Sequence, residues 1–287
     1  MKVQSLSICV PSGCPNNCKF CVSKVHPSNY SNQIEDNIRF RHLYEQDYLK
    51  RLQFARDNGC NTVILTGDGE PLYNRNFLTD FSHWNKMIDN PFRWIEIQTS
   101  GVSLTDEYLR YLRNTVGVTT IALSLSDVFD SEVNRTINRT PQSIKVNIDS
   151  LCYEIKRYDF NLRLCLNMTS IYNREPIERI IYRAKMLQAN QVLFRKLYTS
   201  DDNCPQNKWI EEHRYINFKK LQKYIQKYGR ALEVLPFGAM RYSISEMSVV
   251  IDSDCMSTQV KDSAKYLILR PDCKLYTKWD DKGSLLF

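Results

Sequence analysis

No run of 18 apolar residues occurs in the 287-residue chain, so no segment reads as a helix able to span a bilayer. Nothing at the N-terminus looks like a secretory signal, with its basic start and short apolar core. A disulfide role needs an oxidising compartment, so the ten cysteines are expected as thiols in a reduced, cytoplasmic protein. Their number is also too low for a disulfide scaffold, and most stand alone. A second close pair of cysteines, the usual mark of a structural zinc site, is missing. The formal charge of +7 is moderate and spread out. It permits an acidic partner or a phosphorylated substrate without requiring either, and neither a membrane nor a nucleic acid is an expected partner.

What is present is concentrated at Cys14-Pro-Asn-Asn-Cys18-Lys-Phe-Cys21, directly after an apolar strand over Val3–Val10. Three thiolates so spaced on a loop can converge on three corners of a [4Fe–4S] cube, because such clusters are held by cysteine sulfur. A cluster that only carries electrons takes four such ligands, so three local ones point to an open iron able to bind a substrate. Zinc also favours cysteine sulfur, and a non-enzymatic electron-transfer or zinc-binding module stands beside the first reading. Cys9 lies within the strand and reads as a small buried hydrophobe.

Downstream, strand and helix patterns alternate. The polar segment Ser23–Arg39, with Pro27, reads as a long loop, either a functional cover or a surface insertion. A helix over His42–Asn58 follows, with Leu43, Tyr48, Leu49, Leu52 and Ala55 at helical spacing and Gly59 as its stop. A buried strand over Asn61–Thr66 ends in Gly67-Asp68-Gly69-Glu70-Pro71, where glycine lets backbone approach a ligand closely. The spacing then predicts helices over Asn76–Ile88, Thr105–Arg113, Gln142–Arg157 and Pro176–Gln188. Strands are predicted over Trp94–Thr99, Thr119–Leu125, Leu162–Met168 and Gln191–Leu197. Six strand–helix units require an α/β fold with a parallel sheet and right-handed crossovers. Beyond residue 200 the pattern changes to a polar linker over Asp201–Lys208, an amphipathic helix over Trp209–Tyr228, and β-like runs at Ser248–Ile251 and Tyr266–Leu269. The last joins Lys274–Tyr276 through a Pro-Asp turn, which reads as a hairpin. Residues 1–200 are thus expected as the main body and 201–287 as a dependent α+β extension capping it. Cys204, Cys255 and Cys273 share no close pair and read as isolated thiols, with ligands of a second cluster as the lesser alternative.

The CxxxCxxC spacing with aromatic Phe20 before the last cysteine resembles the signature of radical S-adenosylmethionine (radical SAM) enzymes, and Gly67–Pro71 is similar to that family's GGEP-like segment with one inserted residue. The resemblance implies an open, partial (β/α)6 barrel, with the ligand at the carboxyl ends of the strands. It implies a [4Fe–4S] cluster on Cys14, Cys18 and Cys21, with its open iron chelated by the amino and carboxylate groups of S-adenosylmethionine. Gly67, Asp68, Gly69, Glu70 and Pro71 then form the loop at the methionine amino group, and Thr99 sits in the turn near the adenosyl ligand. Ser124 and Ser126 share one face by alternation and are placed for the ribose or methionine carboxylate, although Ser126 can instead cap the following turn. Asn167 is placed to bond the adenosine. Arg163 shares a face with Cys165 and Asn167 and, if buried, needs an anionic partner. Arg195 and Lys196, at the end of the sixth strand, are candidates for a substrate phosphate or carboxylate.

The implied activity is reductive cleavage of S-adenosylmethionine to methionine and a 5′-deoxyadenosyl radical, with flavodoxin or ferredoxin as electron donor. The segment Ser124–Arg139, SLSDVFDSEVNRTINR, resembles the corresponding region of the molybdenum-cofactor cyclase and of the antiviral nucleotide dehydratases. That favours a small, nucleotide-like or phosphorylated substrate, although the cyclase's clustered C-terminal cysteines and glycine-rich tail are missing. A peptide-modifying or glycyl-radical activating enzyme is the alternative, and an RNA methylase is disfavoured because paired catalytic cysteines are not evident.

Overall fold

Short runs rich in Val, Ile and Leu alternate with amphipathic segments, and each run finds its neighbour in one sheet. The computed structural model describes residues 2–25, 31–200, 204–235, 239–252, 259–260, 263–279 and 285–286. In chain order the elements are β1 (Lys2–Cys9), α1 (Val22–Val25), α2 (Ser31–Phe40), α3 (Glu45–Asp57), β2 (Thr62–Thr66), α4 (Arg75–Met87), β3 (Trp94–Thr99) and α5 (Asp106–Tyr111). Then come β4 (Thr120–Leu125), α6 (Ser131–Asn138), α7 (Ile148–Arg157), β5 (Asn161–Asn167), α8 (Ile177–Met186) and β6 (Gln191–Arg195). The remainder comprises α9 (Pro205–His213), α10 (Phe218–Tyr228), β7 (Arg230–Val234), β8 (Met240–Ile244), β9 (Met247–Asp252), β10 (Gln259–Val260), β11 (Ser263–Leu269) and β12 (Leu275–Tyr276).

Strands β1 to β6 pair in sequence order and in parallel, as βαβ crossovers require. The fold is therefore mixed α/β, a central sheet flanked by helices. Alternation along each strand divides the sheet into two faces. Leu6, Ile8, Val63, Leu65, Leu123 and Leu125 are buried in the main apolar core together with Tyr48, Leu52, Phe77, Phe81 and Trp84 of the helices. The opposite face carries Ser5, Ser7, Thr66, Gln98, Ser124 and Asn167, which line a cavity. Helix ends follow local chemistry: the Asn74 side chain accepts from Phe77 N at 3.0 Å to start α4, and Asp130 accepts from Glu132 N and Val133 N to start α6.

Several sequence expectations are corrected. The segment Ser23–Arg39 is not a loop throughout: α2 occupies Ser31–Phe40, and its Asn37 is fully buried, donating to Tyr48 Oη at 2.9 Å and to Pro271 O at 2.7 Å. Residues 26–30, including Pro27, lie outside the described residues. The helix expected over Gln142–Arg157 begins only at Ile148, and a separate helix, α6, precedes it. The helix expected over Trp209–Tyr228 is two, α9 and α10, because the chain turns extended at Arg214, which bridges to Thr169. Of the expected linker Asp201–Lys208, residues 201–203 lie outside the described residues and 205–208 are helical, since Pro205 opens α9.

The C-terminal strands join the same sheet. β11 lies parallel to β1, and β9 lies parallel to β6, so the order is β10-β11-β1-β2-β3-β4-β5-β6-β9-β8-β7, with β12 paired antiparallel to β11 as the expected hairpin. No helix among the described residues is long and apolar enough to cross a membrane.

Candidate functional site

The cavity, of about 630 Å³, opens where the strands end. That volume suits a small ligand and a cofactor fragment together. Two loops meet there, one after β1 and one after β2. Glu70 N donates to Gly13 O at 2.9 Å, and Val10 N donates to Thr66 O at 2.7 Å. The packing is close enough that a Cβ on Gly69 would lie 2.0 Å from Ser12 O, which only glycine avoids. Gly67 adopts φ of 151°, a conformation costly for other residues.

Cys14, Cys18 and Cys21 all line the cavity. The loop is anchored from below by α6: Asn138 O accepts from Asn17 N at 3.1 Å and from the Cys18 thiol at 3.3 Å. Asn138 is itself fixed by the Ser126 hydroxyl, donating to its Oδ1 at 2.6 Å, and by its own Nδ2, donating to Asn134 Oδ1 at 3.3 Å. Cys21 Sγ lies 3.0 Å from Ser23 Oγ. Burial raises the Cys14 thiol above its ordinary pKa and pushes Cys18 up to about 12, with the neighbouring Cys21 and Cys14 charges adding to the latter. Metal coordination deprotonates such thiols outright.

No group of three or more His, Cys, Asp or Glu side chains among the described residues gathers around a single ion's position. The fit to a cluster therefore rests on donor chemistry: three free thiols on one loop, facing one cavity and pinned to the adjacent glycine loop. Those residues fit an iron–sulfur group. Cys204 is half-buried and Cys273 is buried, its thiol pointing to Tyr44 O at 3.9 Å; Cys255 lies outside the described residues.

Glu70 is 3% exposed. Its Oε1 accepts from Thr99 Oγ1 at 2.6 Å, and its Oε2 accepts from Ser100 N at 2.9 Å and Ser100 Oγ at 2.7 Å. Burial raises this carboxyl's pKa, and those bonds work against the rise. Asp68 is likewise raised by burial, offset by the nearby Arg270 charge.

Of the residues singled out from the sequence, Gly67, Asp68, Gly69, Glu70 and Thr99 line the cavity, as do Ser124 and Asn167. Pro71 is buried at the start of a 3-10 turn and is not among the lining residues. Ser126 is fully buried behind the wall, bonded to Asn138, because β4 ends at Leu125 and the alternation shared with Ser124 stops there. Arg163, Arg195 and Lys196 all line the cavity. The anion that Arg163 requires comes from the chain itself: Glu96 Oε2 lies 2.5 Å from its Nη1, and its Nε donates to Gln191 Oε1 at 2.8 Å. Sequence reasoning missed Gln98, Asn138, Arg241, Tyr266 and Trp279, which also line the cavity. Gln98 was accessible through strand alternation; Arg241, Tyr266 and Trp279 arrive through long-range strand pairing.

Residues 8–188 match the model of the radical SAM superfamily, more than half of the chain. No curated protein matches. Among solved structures the fold is similar to anSMEcpe with bound AdoMet (S-adenosylmethionine), with a TM-score of 0.62 and 14% identity over 99% of this chain and 77% of that one. It is also similar to SuiB of Streptococcus suis bound to S-adenosylmethionine, with a TM-score of 0.55 and 14% identity over 96% of this chain, which spans 58% of SuiB. Methylornithine synthase (PylB) follows with a TM-score of 0.51 and 17% identity over 78% of this chain and 61% of that one. At these identities the likeness is one of fold.

Proposed function

Because the chain belongs to the radical SAM superfamily and is an enzyme of that class, we propose that its cavity binds a [4Fe–4S] cluster and S-adenosylmethionine and acts on a small substrate. Cys14, Cys18 and Cys21 would hold the cluster, which when bound would supply the electron for reductive cleavage of S-adenosylmethionine and so the radical chemistry on the substrate. The observation that carries this reading is the junction of the two loops, with Glu70 N bonded to Gly13 O beside the three thiols.

The remaining roles belong to the chain's own groups. The lack of side chains at Gly67 and Gly69 lets this loop seat against Val10 and Ser12 of the cysteine loop, and Glu70 holds it to the end of β3 through Thr99 and Ser100. Ser124 and Asn167 offer polar atoms to the nucleoside, and Ser126 acts one layer back by orienting Asn138. The sheet is read as an open, partial (β/α)6 barrel whose C-terminal strands extend its walls. A strongly reducing flavodoxin or ferredoxin serves as donor, and the substrate class is the nucleotide-like or phosphorylated one suggested by the cyclase-like segment Ser124–Arg139.

Anaerobic reconstitution, with iron and sulfide counted and 5′-deoxyadenosine measured after reduction, tests the reading. About four irons per chain and nucleoside formation are expected. Cys18→Ala should abolish that product, whereas Cys273→Ala should leave it intact. A single tetrahedral ion per chain, without nucleoside, would overturn the assignment.

A further inference from the structure

The cavity has a wall that cofactor binding leaves without a role. Hairpin β11–β12 and the segment after it bring two aromatic side chains there, Tyr266 and Trp279. Their ring centroids are 6.0 Å apart and their planes are inclined by 59°, so they form a corner rather than a stack. Tyr266 is buried with Cys9, Ile268 and Tyr276, and Trp279 packs against that cluster. The indole is thus backed by protein while it lines the cavity.

Arg270 fixes the corner. It is 2% exposed, and its guanidinium carbon lies 3.9 Å from the centre of the Tyr276 ring. It donates to the carbonyls of Lys278, at 3.1 Å, and Trp279. The Tyr276 hydroxyl donates in turn to Asp272 Oδ2 at 2.7 Å. Backbone on both sides of the indole is therefore held by a buried cation, which lowers the ordering cost of a flat binding surface.

The charges of the cavity add a second constraint. Arg163 is neutralised by Glu96, and Arg241 by Glu233 at 2.8 Å. Lys196 is exposed within the lining and makes no ion pair among the described residues. An ammonium on a flexible stem is a point charge suited to phosphate or carboxylate.

We infer that the Tyr266–Trp279 corner and Lys196 together select a substrate with a planar aromatic or heteroaromatic ring that carries an anionic group, the ring on Trp279 and the anion at Lys196. This deepens the proposed function and rests on it.

The test uses reconstituted protein with S-adenosylhomocysteine saturating the cofactor site, titrated calorimetrically with the four ribonucleoside monophosphates, L-tryptophan and ring-free ribose 5-phosphate. At least one ring-bearing anion should bind saturably and about tenfold or more tighter than ribose 5-phosphate, the scale of one base–aromatic stack. Tighter nucleotides identify a nucleotide source of the ring, and tighter L-tryptophan identifies an amino-acid one. Trp279→Ala should weaken the ring-bearing ligand about tenfold, while Trp279→Phe retains most of its affinity. Lys196→Met should weaken both that ligand and ribose 5-phosphate. Equal affinity for ribose 5-phosphate, unchanged binding by the Trp279→Ala protein, or no saturable binding by any ring-bearing probe overturns the inference. Formation of 5′-deoxyadenosine on reduction of the same preparations distinguishes its failure from failure of the radical SAM reading.

Discussion

Glu70 keeps a carboxyl group away from water because Thr99 and Ser100 supply hydroxyl and amide donors in its place. Burial nevertheless outweighs them and raises its folded-state pKa. The sign of the linkage follows. A carboxyl whose folded pKa exceeds its unfolded value of about 4.3 contributes most to stability below that value and loses the contribution as pH rises through the folded pKa. Relative to Glu70→Gln, the wild-type protein should therefore lose unfolding free energy as pH is raised from about 4, until the folded pKa is passed. Urea unfolding across that range checks it, and parallel pH profiles for the two proteins would contradict it. Above that range the substitution also leaves a donor facing a donor, at a cost of about 1–3 kcal/mol.

At the scale of elements, α6 is the support on which the cysteine loop rests. Asn134 Oδ1 accepts from Ser126 N at 2.7 Å and from Asp127 N at 3.3 Å, joining the end of β4 to the helix whose last carbonyl receives Asn17 N and the Cys18 thiol. Asn134→Ala orphans those buried amides, so a loss of about 1–3 kcal/mol is expected in urea unfolding, together with lower iron retention on dilution. Unchanged stability and iron content would remove α6 from this role. None of this support was legible in the sequence, where Ser124–Arg139 reads as a binding motif, because an eight-residue helix rich in Asn, Ser and Thr has poor intrinsic propensity. Helix α2 was hidden by similarly polar composition. By contrast Trp94–Thr99 was placed to the residue, since a β-rich run between turn residues leaves few alternatives. The cavity face was legible wherever alternation continued, as at Ser124 and Asn167, and illegible past a strand end, as at Ser126. The need of Arg163 for an anion was readable, but its partner lies on a strand two positions away in the sheet, which no local pattern reveals.

At the scale of the whole molecule, residues from the far end of the chain close over its beginning. β11 pairs with β1 from Lys2↔Ser263 to Ile8↔Leu269, inserting itself between the first strand and solvent. We propose on this basis that residues 201–287 are not an independent domain. Leu267, Ile268, Leu269 and Leu275 are each fully buried, and burying such a side chain stabilises by about 1.5–3 kcal/mol. Four of them amount to about 6–12 kcal/mol, comparable with the whole net stability of a typical domain, about 5–15 kcal/mol. Truncation after Asp252 also leaves β1 as a bare edge, with Leu6 and Ile8 beside it and its amides free to pair with another chain. The truncated protein should therefore fail to give a monomer with a cooperative urea transition, and should elute as aggregate in size-exclusion chromatography. A soluble monomer with a wild-type midpoint would show that residues 1–252 stand without the strands that follow. Loss of the monomer would instead mean that the wall carrying Tyr266 and Trp279 cannot be removed without the fold, so its chemistry has to be probed by single substitutions.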